Sequence, residues 1–381
     1  MGASRFLAAD GYAARPRPSA SPVGRGRRAV ETVVRRPSPA FWRGKRVLLT
    51  GHTGFKGAWA ARMLAALGAE VTGFALDPAA GPSAHAALRV ADCTRDLRGD
   101  LRDARAVAAA AKGQEVTLHF AAQAIVAAGY ADPAGTWESN VTGTLHLLQG
   151  LRGTGGAAAV VVTSDKVYRN SGQDRPFVEG DALGDTDPYS ASKAACEVLV
   201  ASHRASFRDL PALATGRAGN VIGGGDFGAA RLVPDLVRAR LAAVPLVLRN
   251  PASTRPFQHV LDVVAGYLLL AEALAEGGAP PAVNFGPAEA ELTVAELLAH
   301  WEHATGRAVD WRLSDAPPMV EKPRLALDSR LAERALGWRP RLGTARAVAE
   351  TARWYDAWQA GADMAALSDA AIDRFLAGNE I

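Results

Sequence analysis

Tyr189-Ser190-Ala191-Ser192-Lys193 and the upstream Ser164-Asp165-Lys166 gather a phenol, two amines, hydroxyls and a carboxyl in two short segments. Such a set can take the proton from an alcohol as it is oxidised to a ketone, then do acid/base work at the neighbouring carbons. Tyr189 and Lys193 are four apart and share one face of a helix. A free tyrosine titrates near ~10, roughly three units above a base useful at neutral pH. That gap is about 4 kcal/mol, roughly what one cation ~4 Å away supplies at an effective dielectric of ~20. Lys193 is expected to be that cation and Tyr189 the base. Asp165 and Lys166 are adjacent and opposite in charge, which is expected to draw the carboxyl downward in pKa. As an ion pair, both groups are in the wrong state for acid and base. Either they share a proton in a dry site, or Lys166 stabilises an enolate as a cation.

The elements that must carry these groups are legible upstream. Val47-Leu48-Leu49-Thr50 reads as a short buried strand, and Gly51-His52-Thr53-Gly54-Phe55-Lys56-Gly57 joins it to a helix running to about Leu67. Glycines there permit a tight turn and a close backbone approach to a pyrophosphate resting on the helix N-terminus. Asp77, after a second strand over Val71–Leu76, is expected to accept hydrogen bonds from the adenine ribose and to repel a 2′-phosphate, favouring NAD over NADP. Asp100 and Leu101 follow a third strand within 94–100 and are candidate adenine contacts. Further strands are expected at 116–120, 159–163 and 213–217, with helices over 103–112 and 136–151. Apolar strands alternating with helices predict an α/β fold with a doubly wound parallel sheet. Beyond 218 the rhythm breaks, with helices expected at 232–242, 260–275 and 293–304. The expected organisation is a disordered basic tail (1–40), an NAD-binding domain (41–218) and a smaller substrate-binding domain (219–381), with parts of 256–287 returning to the first.

Composition removes other classes. The chain carries a net +4, but residues 1–40 hold eight arginines against Asp10 and Glu31, so the body is slightly acidic and has no basic stripe for nucleic acid. No apolar run is long enough to span a membrane. Cys93 and Cys196 lack CxxC spacing, and a reduced cytoplasmic setting is expected. His300 and His303 lie three apart without a third ligand, so no metal is expected.

In these motifs the chain resembles the extended short-chain dehydrogenase/reductase family, and within it the CDP-glucose 4,6-dehydratase branch. The resemblance covers about 41–360. It rests on Thr50–Gly57, Ala121-Ala122-Gln123, Thr163–Lys166, Asp187–Lys193, Arg217–Asp226 and Arg249-Asn250-Pro251 with Arg255–Val260. It implies bound NAD, contacted by the Gly51–Gly57 loop, Ala121, Tyr189 and Lys193, and a CDP-hexose substrate. Gln123, Asn220, Arg231 and Arg255 are the implied substrate contacts, the arginines suiting a diphosphate. The implied reaction oxidises C4 with Tyr189 and Ser164 on its oxygen, removes the C5 proton with help from Lys166, expels the C6 hydroxyl protonated by Asp165, and reduces C6. A homodimer or homotetramer is expected. Ala124, Ala127, Phe227 and Phe257 depart from the branch's usual residues, as does the run 319–325, and these changes are expected around the sugar and nucleotide pocket.

Overall fold

Seven short strands form the main sheet: β1 Arg46–Thr50, β2 Glu70–Ala75, β3 Arg95–Arg98, β4 Val116–His119, β5 Ala158–Val162, β6 Ala212–Ala218 and β7 Ala282–Phe285. Their order is β7-β6-β5-β4-β1-β2-β3, and every neighbouring pair is parallel. All residues of β4 and β5 are buried, which is why these runs are continuous and not alternating: helices cover both faces. One face packs the helix Val260–Ala275, buried along almost its whole length, with Trp42, Trp59 and Met63. The other packs Leu48, Phe74, Leu101 and Leu147. The strand order reverses between β1 and β4, so their carboxyl ends diverge and open a crevice.

The computed structural model describes residues 34–287, 289, 292–315 and 324–379. The expected tail up to residue 33, and most of the 319–325 run, lie outside the described residues. Residues 34–40, assigned to the tail on composition, are instead bonded to the fold. The Arg35 N–H donates to Gly337 O at 2.9 Å, and the Ser38 N–H donates to the buried Glu272 carboxylate at 2.7 Å. Ser38 then caps a one-turn helix, Pro39–Trp42, whose Trp42 indole donates to the same Glu272 oxygen.

Past β6 the described residues make no second large sheet. They form three two-stranded pairs: Val221–Ile222 with Gln258–His259, Leu246–Leu248 with Trp311–Leu313, and Thr254–Arg255 with Leu292–Thr293. Between the first pair and β7 the chain returns to the main sheet through Val260–Ala275. The helix expected over 136–151 is broken in register by a π turn at Glu138–Thr142 between Pro133–Trp137 and Gly143–Leu151. Among the described residues no helix is long and apolar enough to cross a membrane.

Candidate active site

The glycine loop is folded so tightly on itself that side chains are excluded. Gly51 has φ +78°, and a Cβ there would lie 2.6 Å from Ala121 N; one on Gly57 would lie 2.1 Å from Gly51 O. Gly54 is the N-cap of the helix Phe55–Ala66 and offers no side chain to its first-turn N–H groups, so these can receive an anion. His52 is fully buried beneath the loop. Its Nε2 lies 2.7 Å from Asp96 on β3, and Asp96 is also bonded to His85 at 3.0 Å and Arg98 at 2.8 Å. The loop is thereby tied to the third strand.

Across the crevice, Ser164 follows β5 and caps a short 3₁₀ turn, Asp165–Val167. Its hydroxyl accepts from Lys166 N at 3.2 Å and donates to Asp165 Oδ1 at 2.9 Å. Asp165 is 3% exposed, and its buried Oδ2 has no hydrogen-bond partner among the described residues. Burial raises its pKa above the ordinary carboxyl value, with Lys166, Ser164 and Arg255 pulling back less than burial pushes. This reverses the expectation that the neighbouring charge draws Asp165 downward, and agrees with the dry-site alternative.

Tyr189 enters on the helix Pro188–Ser206, with Pro188 at its first position and Asp187 as N-cap accepting from Ser190 N at 3.0 Å. Burial pushes the phenol up to about 12, the Ser164 hydroxyl counters, and the Asp165 charge adds to the rise. The expected lowering by Lys193 is corrected by its direction: the Lys193 ammonium donates to Val162 O at 3.2 Å. Burial lowers its pKa, while Cys196 and Glu197 favour its charge. Lys56, in the first turn of a helix where a cation is disfavoured, is brought to about 8 by burial, with the charges of Lys193 and Arg231 adding to the fall.

Ser164, Asp165, Lys166, Tyr189 and Lys56 face one cleft of about 1140 Å³ at the crevice. It is lined by Gly51, Thr53, Gly54, Phe55, Lys56, Gly57, Asp100, Leu101, Ala121, Gln123, Ser164, Asp165, Lys166, Tyr189, Asn220, Arg231 and Arg255. Two expected residues are not in this lining. Lys193 lies behind it, 6% exposed. Asp77 lies beyond the end of β2 with its side chain 85% exposed, 3.5 Å from Arg98. Arg231 meets both oxygens of the buried Asp226 at 3.0 Å, which fixes its guanidinium at the cleft wall. Ala124, Ala127 and Phe257 line the cleft; Phe227 packs instead among Trp354, Tyr355 and Trp358.

Residues 47–286 match the family described as NAD dependent epimerase/dehydratase. The chain belongs to that family. A curated relative, the CDP-glucose 4,6-dehydratase of Salmonella typhimurium, is 38% identical over 88% of this chain and 97% of its own. Among solved structures, a dTDP-glucose 4,6-dehydratase mutant from Streptomyces venezuelae with NAD bound superposes with TM-score 0.73 at 28% identity, over 84% of this chain and all but 1% of the other. A UDP-glucose-4-epimerase from Stenotrophomonas maltophila with bound NAD gives 0.74 at 26% identity, over 84% of this chain and 100% of its own. NAD is the cofactor of this epimerase/dehydratase member. The residues fit it: side-chain-free backbone at Gly51 and Gly57, and an uncapped helix start facing the cleft.

Sequence reasoning missed Asn140. It is 1% exposed in the π turn, accepts from Gln123 N at 2.8 Å, and donates to Gln123 O at 3.0 Å and Ser192 Oγ at 2.9 Å. It thus joins the segment after β4 to the Tyr189 helix. Its signal was the interruption of helical register, which periodicity alone does not reveal.

Proposed function

We propose that this epimerase/dehydratase member is a CDP-glucose 4,6-dehydratase, converting CDP-D-glucose to CDP-4-keto-6-deoxy-D-glucose and water. Its activity class is NAD-dependent dehydration of a nucleotide sugar. One observation carries the reading furthest: beside Tyr189 and Ser164, which suffice to handle the proton of a 4-hydroxyl, stands a second, buried acid, Asp165, whose pKa is raised. Epimerisation has no use for such an acid, whereas expelling a hydroxyl as water requires one.

When bound, NAD supplies the oxidising and then reducing equivalent that lets C4 and C6 exchange oxidation states with no net redox. The protein's own groups manage the protons. Tyr189 takes the proton of the 4-hydroxyl, and Ser164 hydrogen-bonds the same oxygen. The resulting ketone acidifies C5–H. Lys166, lining the cleft beside Asp165, assists at C5, and protonated Asp165 gives its proton to the departing C6 hydroxyl. Asn220, Arg231 and Arg255 are assigned to the nucleotide diphosphate, and residues 219–381 to substrate binding except where 256–287 rejoin the sheet. The identity shared with the CDP-glucose dehydratase supports CDP as the nucleotide. The assignment is tested by offering CDP-, UDP-, dTDP- and GDP-glucose with NAD and scoring loss of water by mass spectrometry; preferential turnover of a nucleotide other than CDP would overturn it.

A further inference from the structure

Behind the catalytic side chains lies a buried ion pair that the chemistry above does not use. Glu197 stands one helical turn beyond Lys193. Arg217 on β6 meets its carboxylate with two nitrogens, Nε to Oε1 at 2.9 Å and Nη2 to Oε2 at 2.8 Å, both side chains being 4% exposed. The same carboxylate accepts the Thr163 hydroxyl at 2.5 Å and the Thr215 hydroxyl at 2.7 Å. Arg217 Nη1 continues to the Tyr168 hydroxyl at 2.8 Å, which donates to Asn284 on β7 at 2.6 Å. One carboxylate therefore joins β5, β6 and the Tyr189 helix, and through Arg217 reaches β7.

A buried ion pair is weak evidence for stability, because desolvation offsets its attraction. A fully bonded one fixes geometry, and here the geometry is that of the reaction centre. Thr163 immediately precedes Ser164, so its bond to Glu197 sets the distance between the two catalytic segments, which sit on different elements. Glu197 also supplies a negative charge near buried Lys193. We propose that Glu197 is a positioning residue for the dehydration: through Thr163 it holds the Ser164–Asp165–Lys166 turn against Tyr189 and Lys193, with Arg217 fixing the carboxylate.

The proposal rests on the dehydratase reading, and the fold contains its own control. Thr163 and Thr215 give equally buried hydroxyls to one carboxylate, but only Thr163 adjoins the catalytic turn. Thr163→Val should lower kcat by about tenfold or more, as expected for a small misplacement of reacting groups, with KM and NAD affinity within about threefold. Thr215→Val should leave kcat within about twofold at a similar change in melting temperature, and Thr163→Ser should restore activity. Equal losses in the two valine variants, or a Thr163→Val loss that follows NAD affinity or melting temperature, overturn the proposal. A second readout needs no substrate. Ser164, more than Arg231, draws the Tyr189 phenol downward against the rise that burial causes, so the pH at which its phenolate absorbance appears, taken as the difference from matched Tyr189→Phe proteins, should rise in Thr163→Val and not in Thr215→Val. An unchanged onset in Thr163→Val overturns the positioning role whatever the substrate proves to be, whereas a parent inactive on every nucleotide hexose counts against the dehydratase reading alone.

Discussion

Replacing Asp165 with Asn tests the acid directly, because the change preserves shape and removes only the proton that must be given away. Asp165 is 3% exposed, its Oδ1 already accepts from Ser164, and its pKa is raised chiefly by burial. A positioned general acid contributes ~10²–10⁴-fold, or about 3–5 kcal/mol of transition-state stabilisation, and product formation should fall by that factor. C4 oxidation does not use the acid, so reduced-cofactor absorbance should still form with CDP-glucose and then persist. Stability should move the other way. A carboxyl whose folded pKa is raised lends its stability below its unfolded value near ~4, and loses it as pH rises through the folded value. Asp165→Asn lacks that loss, so its melting temperature should gain on the parent as pH rises out of the acid range. Stopped-flow absorbance, product quantification and melting curves at several pH values measure all three. Product formation within about threefold of the parent would remove Asp165 from the elimination step, and a melting difference that narrows as pH rises would refute the burial argument.

Tyr189→Phe should lose ~10²–10⁴-fold in turnover while keeping its fold and NAD affinity, checked by steady-state kinetics and calorimetry; activity within threefold of the parent would assign the base elsewhere. Lys166→Met should still form reduced cofactor but stall, with little solvent deuterium entering C5 in heavy water, where the parent product incorporates it. Failure to form reduced cofactor would assign Lys166 to binding or to C4 oxidation. Deleting residues 1–40 should lower the melting temperature by several degrees, because Glu272 loses the Ser38 N–H and each lost buried hydrogen bond costs about 1–3 kcal/mol. An unchanged melting temperature would mean the Ser38 contact contributes nothing.

The parallel sheet was legible because buried strands bounded by glycine and joined by amphipathic helices carry their own period, and β1 to β6 fall within two residues of where the pattern put them. The candidate catalytic segments were legible as motifs, and the cleft gathers most of the residues they nominated. What sequence did not supply was the balance between burial and neighbouring charge. Lys166 beside Asp165 and Lys193 below Tyr189 argued for lowered acid pKa values, but both acids are buried deeply enough for desolvation to prevail. Asp77 stands beyond the end of β2, outside the cleft lining, with its side chain toward solvent and Arg98. The Thr163–Glu197–Arg217 network was invisible for another reason, since it joins residues whose only relation is spatial. Residues 34–40 were misread because proline, serine and arginine resemble a linker until their backbone finds Glu272 and Gly337.

Transfer of label within one sugar tests the central claim most directly. CDP-glucose carrying deuterium at C4 should give a product that has lost one water and carries that deuterium at C6, with NAD neither consumed nor accumulated in reduced form. Deuterium retained at C4 of an epimer, or found in no product that has lost water, would contradict the account.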